Sequence, residues 1–207
     1  MANPTAYAAT PTISLLPLNA ADHAEALQAV YRATPAYWEM YHLPSSPAGQ
    51  AARDLEAAVS TPGRTLMGSV RHVDTPVDTP VESAVDSAAR TGEHSGAVEM
   101  VGVVDFRRHW PDPAVVYVGM VMVAEPYQRQ GIGRAAWQLL APWLAQSAQM
   151  TIARAGIEQF NPGGLQFLQR IGFALTGDSS RVQSGKRWVR LLYMEYDLAN
   201  LANRDPT

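Results

Sequence analysis

The stretch "VMVAEPYQRQGIGRAAWQLL", residues 121–140, decides how the chain reads. An apolar run ends at Val123, the loop "AEPYQRQ" follows, and Gly131 and Gly133 open a helix on which Ala136, Leu140, Trp143 and Leu144 share one face. Glycines at a helix entry let backbone N–H groups converge. Those amides lack intrahelical partners and sit at the positive end of the macrodipole, so they suit an anion such as a pyrophosphate. Arg129 and Arg134 add charge, and a bulky residue at Gly133 is expected to fill the space where backbone meets phosphate. The plainer reading is a tight strand-to-helix turn.

"GIGRAA", residues 131–136, also matches the G-x-G-x-x-A form of a dinucleotide fingerprint, with Glu158 downstream as the ribose-binding acid. In that fingerprint the first glycine comes directly off its strand, at the first turn of a parallel array. Here seven residues separate Val123 from Gly131, past mid-chain and after a hairpin. A phosphate-binding P-loop is excluded, because the one Gly-Lys pair, Gly185–Lys186, is followed by Arg187 and lacks the upstream glycine.

Outward from this stretch the order is mixed. Strands are predicted at 12–18, 64–71, 97–106, 114–123 and 150–158, with two more near 173–182 and 187–198. Helices are predicted from Asn19, from Pro35, over 46–63, from Gly133 and after Asn161. Pro142 should kink its helix or leave a carbonyl free. The loop "RRHWPDP" makes an antiparallel hairpin of the third and fourth strands. This is an α/β layout around one sheet. Residues 12–200 read as one domain between tails at 1–11 and 201–207, with a mobile insertion at 72–97 that holds the tandem "VDTPVDTPVESAVDSA".

The composition removes several classes. The 207 residues contain no cysteine, so disulfides, zinc–thiolate sites and a cysteine nucleophile are excluded. The five histidines show no metal-ligand spacing, and no metal is expected. A net charge of −3 argues against a nucleic-acid partner. No signal peptide and no membrane span are expected, which fits a cytoplasmic protein. Of sixteen Lys and Arg residues only Lys186 is a lysine, the mark of a GC-rich, bacterial genome.

The blocks "VAEPYQRQGIGR" and "TIARAGIEQFNPGGLQFLQRIGF", with the closing "LLYMEYDL", resemble the GNAT acyl-CoA N-acyltransferases. The core Q/R-x-x-G-x-G/A falls on Gln128, Arg129, Gln130, Gly131, Ile132 and Gly133. The resemblance implies a mostly antiparallel mixed sheet of six to seven strands, splayed between strands four and five, with helices on both faces. It implies that acetyl-CoA or another acyl-CoA enters the gap, its pantetheine along Val121, Met122 and Val123 and its pyrophosphate on amides of Arg129 to Arg134. Asn161 would contact the pantetheine arm, although Asn before Pro162 is also an ordinary helix N-cap. The implied chemistry is direct attack of an amine on the thioester, with backbone donors of strand four stabilising the oxyanion.

The chain departs from the family at the proton-transfer groups. The family's frequent Tyr falls on Leu168 in the cofactor-binding block, a Glu used by some members falls on Gly156, and Gly164 stands where Ala is usual. Asp105 and Glu158, at strand ends, are the nearest candidates for a catalytic base, and each also reads as a surface carboxylate. The acceptor wall falls on the aromatic run Tyr31, Tyr37, Trp38 and Tyr41, which reads equally as core. The acceptor is expected to be a small-molecule or peptide amine, and a homodimer is one arrangement these residues allow. A non-catalytic acyl-CoA-binding module and an NAD(P)-binding oxidoreductase stay open as alternatives.

Overall fold

Alternation of apolar and polar residues builds seven strands into one sheet. The computed structural model describes residues 12–73, 97–184 and 187–202. The strands are β1 (Ile13–Pro17), β2 (Arg64–Val73), β3 (Ala97–Arg108), β4 (Val115–Val123), β5 (Ile152–Glu158), β6 (Ala174–Ser184) and β7 (Arg187–Asp197). Their order is β1-β2-β3-β4-β5-β7-β6, and of these described strands only β4 and β5 run parallel. His72, Val73 and Ala97 are strand residues, so β2 and β3 reach into the expected insertion. The rest of that insertion and residues 1–11 and 203–207 lie outside the described residues.

Helices cover both faces. On one face lie α1 (Ala20–Arg32), α2 (Pro35–Met40) and α3 (Gln50–Ser60). Asn19 caps α1 by accepting from the Asp22 N–H at 2.9 Å. Leu27, Val30, Tyr31, Trp38 and Leu55 from these helices pack on Leu66, Val103 and Met122 of the sheet. On the other face lie α4 (Ile132–Gln146), α5 (Pro162–Arg170) and α6 (Ala199–Ala202), a short final turn that the sequence reading did not expect. There Ala136, Trp137, Leu140 and Leu144 meet Val104, Val116, Val118, Ala153 and Ala155. Pro142 does not end α4, which continues to Gln146.

The sheet opens in its middle. β4 and β5 pair through Val115–Val118 and Ile152–Ala155, and no further. The cause is a β-bulge. Asp105 faces Met120 and Phe106 faces Val118, which leaves Gly119 as an extra residue on β4. A bulge bends its own strand, so beyond Gly119 β4 follows β3 and leaves β5 behind.

Tyr31 is a core residue and no wall of an open pocket. It is 0% exposed, and its hydroxyl donates to Asp54 at 2.9 Å. Burial first, and then Asp54, hold its proton above the ordinary tyrosine range. The folded state therefore binds this proton more tightly than the unfolded chain, whose tyrosines ionise near pH 10. Stability should be level in this contribution below about pH 10 and fall above it. Urea midpoints at pH 9 and pH 11 should show the drop, and Tyr31→Phe should shrink it. Leu27, also 0% exposed, provides a packing test: Leu27→Ala should cost about 2–5 kcal/mol. The control Val59→Ala, at a site 86% exposed, should stay within about 0.5 kcal/mol by the same urea titration.

Candidate active site

The parted strands leave a row of backbone groups without a neighbouring strand. The Ala124 N–H donates to the Val101 carbonyl on β3 at 2.9 Å. Hydrogen-bonding direction alternates along an antiparallel strand, so Met122 also turns its backbone to β3. Val121 and Val123 then turn theirs to the gap. Two of the three residues expected along the gap thus present an edge to it, and Met122 is corrected to a β3-facing residue whose side chain is buried. The Val123 carbonyl accepts from Gln128 Nε2 at 2.8 Å, which ties the following loop to the same edge.

That loop is held from several sides. Glu125 and Tyr127 bound a single 3₁₀ turn. The Tyr127 hydroxyl donates to Glu99 at 2.6 Å, and the Arg71 guanidinium lies 4.6 Å from its ring centre. Gln130 Nε2 donates to the Pro126 carbonyl at 2.9 Å. Arg129, at φ 59°, and Gly131, at φ 84°, turn the chain left-handed into α4. The first α4 bond is Ala135 N–H to Gly131 carbonyl, so the amides of Ile132, Gly133 and Arg134 precede the helical ladder.

Three expectations change here. A Cβ on Gly133 would lie 3.0 Å from Phe167 Cε2 and 3.7 Å from Val123 Cγ2. That glycine lets α4 pack closely on α5, so bulk there would first disturb packing rather than fill a phosphate space. The Arg134 guanidinium donates to the Arg170 carbonyl at the end of α5, at 3.1 Å, which leaves Arg129 as the loop's guanidinium without a partner among the described residues. Leu168 is 6% exposed and packs into the core under α4. Asn161 accepts from the Gly164 N–H at 2.8 Å as the α5 cap, and its Nδ2 has no partner among the described residues.

On the opposite face, the sheet brings together residues far apart in sequence. In β5, Ala153, Ala155 and Ile157 face α4, so Arg154, Gly156 and Glu158 face the α2 side. The Tyr41 hydroxyl donates to Glu158 Oε1 at 2.5 Å across the open end of the gap. Tyr37 packs 5.2 Å from Tyr41, ring centre to ring centre, and edge-on to the buried Trp38 at 5.1 Å. Trp38 is a core residue whose Nε1 donates to the Tyr31 carbonyl at 2.7 Å. Burial, then Tyr37 and Glu158, keep the Tyr41 hydroxyl protonated well beyond the ordinary range. Asp105 is occupied otherwise: both its oxygens accept from Arg64, the closest contact being 2.6 Å. A carboxylate held this way is a salt-bridge partner and no free base.

Sequence reasoning missed Tyr117, Glu125 and Arg64. Tyr117 stands on β4 where the strands part, opposite Arg154, with Trp110 edge-on at 4.8 Å. A Cβ on Gly156 would come within 2.5 Å of the Tyr117 hydroxyl, so the glycine makes room for that side chain. Burial first, with Tyr193 and Glu158 nearby, raises the Tyr117 pKa, while the Gly156 backbone hydrogen bond opposes the rise. Glu125 accepts from the Ala36 N–H at 3.1 Å, and its own N–H donates to the Ala33 carbonyl at 2.8 Å, joining the loop to α2. None of the three carries a local pattern, because each acts through a partner distant in sequence.

Among the described residues no group of three or more His, Asp or Glu could hold a metal, and no helix is long and apolar enough to cross a membrane. Residues 76–173 match the model of the "Acetyltransferase (GNAT) family". No curated protein matches the chain. An acetyltransferase from Thermus thermophilus shares the fold with a TM-score of 0.63 at 19% identity, over 91% of this chain and 98% of that one. A probable GNAT acetyltransferase from Chromobacterium violaceum gives 0.66 at 18%, over 92% and 86%. A chimera of the spermidine N-acetyltransferase SpeG from Vibrio cholerae and hSSAT gives 0.59 at 11%, over 93% and 99%. With the parted β4 and β5, the glycine loop and this match over 76–173, the chain belongs to the GNAT acetyltransferases.

Proposed function

We propose that the protein transfers an acyl group, acetyl by preference, from an acyl-CoA to an amine, by direct attack while both substrates are bound. The observation that carries this reading is the gap itself, which begins at Gly119 and runs along the Val121–Val123 edge to the α4 amides. An extended amide-bearing arm suits such an edge, because it can bond like an added strand. A pyrophosphate suits the amides of Ile132, Gly133 and Arg134 with Arg129 beside them. Asn161 Nδ2 can reach the same arm from the α5 cap.

The thioester, when bound, supplies an acyl carbon open to a neutral amine. The residues of this chain then handle charge and protons. Backbone N–H groups of β4 near the bulge stabilise the developing oxyanion. Glu158, held by Tyr41 through one oxygen, takes the proton that the amine must lose, directly or through water. Tyr117 stands at the parting point and can return a proton to the departing sulfur as the N–C bond forms and the C–S bond breaks. The thiolate, with a reference pKa near 8.5, needs only modest help. Leu168 can do neither task, which is the observation that favours the second reading, an acyl-CoA-binding module without turnover.

Thermal shifts with acetyl-CoA, CoA, NAD and NADP test the donor. A ligand at a hundred times its Kd adds about 2.7 kcal/mol, roughly 5–10 °C for a domain of this size. Acetyl-CoA and CoA should give that shift and the nicotinamide dinucleotides none; the reverse pattern would replace this reading with an oxidoreductase. Arg129→Glu should weaken CoA binding about tenfold or more at low salt and less at high salt. Arg134→Ala should do less, because that side chain is already engaged on α5.

Glu158→Gln should lower kcat by about a hundredfold, within the range for general bases, and leave the acetyl-CoA thermal shift intact. An unchanged kcat under acceptor-saturated CoA release would remove Glu158 from proton transfer.

A further inference from the structure

The α2-facing side of the gap has charge left over at two places. Three of its carboxylates are compensated. Asp105 is paired with Arg64, and Glu195 with Arg154 at 2.5 Å. Asp54 accepts from Tyr31 and Gln50. Glu158 has only the Tyr41 hydroxyl among the described residues. Among the cations there, Arg107 has no carboxylate partner among the described residues; its Nε donates to the Pro62 carbonyl, which leaves its Nη groups available.

These two uncompensated groups lie on either side of one space. A cavity of about 210 Å³ is lined by Arg64, Asp105, Arg107, Trp110, Tyr117 and Gly119. It therefore reaches from the bulge residue, where the gap starts, to the Arg107 guanidinium, which lies 5.6 Å from the Trp110 ring centre. Within the cavity the Arg64–Asp105 pair is neutral, so Arg107 gives it a net positive charge. Glu158 and Asp105 both act on the Tyr37 hydroxyl, so the acidic end adjoins the same space from the β5 side. Gly119 carries no side chain, and a Cβ there would only touch Asp105 at 3.7 Å; β3 would tolerate a larger residue, and the room it leaves belongs to the cavity.

We propose that the acceptor is an amine that carries its own carboxylate, with the amine at Glu158 and Tyr41, the carboxylate at Arg107, and the body against Trp110 and Tyr117. This rests on the acyltransferase reading above. An amino acid or related zwitterion matches a site with one free acid and one free guanidinium, since guanidinium–carboxylate bonds are charge-assisted and directional. A polyamine, the substrate named for the SpeG chimera that shares this fold, would bring a second cation toward Arg107 and find no free carboxylate there among the described residues.

The test is acetyl-CoA-dependent CoA release with the twenty common amino acids, their carboxamides where these can be made, phenethylamine and spermidine. At least one carboxylate-bearing amine should turn over with kcat/KM about tenfold or more above its carboxamide. For that acceptor Arg107→Ala should raise KM about tenfold while kcat stays within about threefold, Arg107→Lys should recover part of the loss, and the carboxamide should be indifferent to both. Preference for spermidine or phenethylamine, equal use of acid and carboxamide, or an Arg107→Ala effect shared by the carboxamide would each overturn the proposal. So would the absence of release with every amino acid while acetyl-CoA still raises Tm. A protein that acetyl-CoA does not stabilise would instead sink the acyltransferase reading on which the proposal rests.

Discussion

One extra residue in one strand sets the site. Gly119 has no counterpart on β3, and the bulge it makes turns β4 away from β5 after four paired positions. A continuous sheet would have used the backbone groups of Val121 and Val123 on the next strand. The parted sheet leaves them facing a gap, and buried or half-buried backbone groups need partners. One of them, the Val123 carbonyl, already takes Gln128. The same bend brings the start of α4 near that edge and opens the opposite face between Asp105 and Glu158. Donor edge, anion-binding amides and acceptor cavity therefore share one cause.

The gap has to stay open without collapsing, and the contacts across it show how. Tyr41 reaches from α2 to Glu158 on β5, and Glu125 fastens the start of α2 to the loop that leads into α4. The acceptor-side helix is thereby tied to both sides of the opening. Such ties convert two loosely related segments into walls of fixed separation, which is what positioning of two substrates demands. The cost in stability is small, because the apolar packing lies elsewhere, with Leu27 and Tyr31 on one face and Leu140 and Leu144 on the other.

The chain's own residues made much of this legible, and the limits were physical. Strand and helix existence followed from periodicity, and the glycine loop from the N–H groups it must expose. The bulge was not legible, because Gly119 inside "VVYVGMVMV" looks like any glycine in a strand until its register against β3 is known. Asp105 and Glu158 looked equivalent at two strand ends, yet Arg64, forty-one residues from Asp105, separates them by occupying one and not the other. Tyr31 belonged to an aromatic run whose members differ only in the helix face they occupy. Gly133 satisfied the loop pattern for a second reason, close approach of Phe167, which no local motif records.

Gly156 shows how a departure from a family pattern can be compensated in space. The resemblance assigns this position a catalytic Glu in some members, and the sequence alone reads its replacement as a loss. In the fold, the volume a side chain at 156 would enter is taken by the Tyr117 hydroxyl and by Leu191, at 2.5 and 2.6 Å from where a Cβ would stand. An acid at 156 and a tyrosine at 117 are therefore mutually exclusive. The chain has kept a titratable group at the parting point, but it has moved that group from β5 to β4 and changed it from a carboxylate to a phenol held protonated by burial. A phenol there can donate but not readily accept a proton, so the task of accepting falls to the next residue on the same face of β5. That residue is Glu158, the carboxylate on this side that is left without a cation among the described residues.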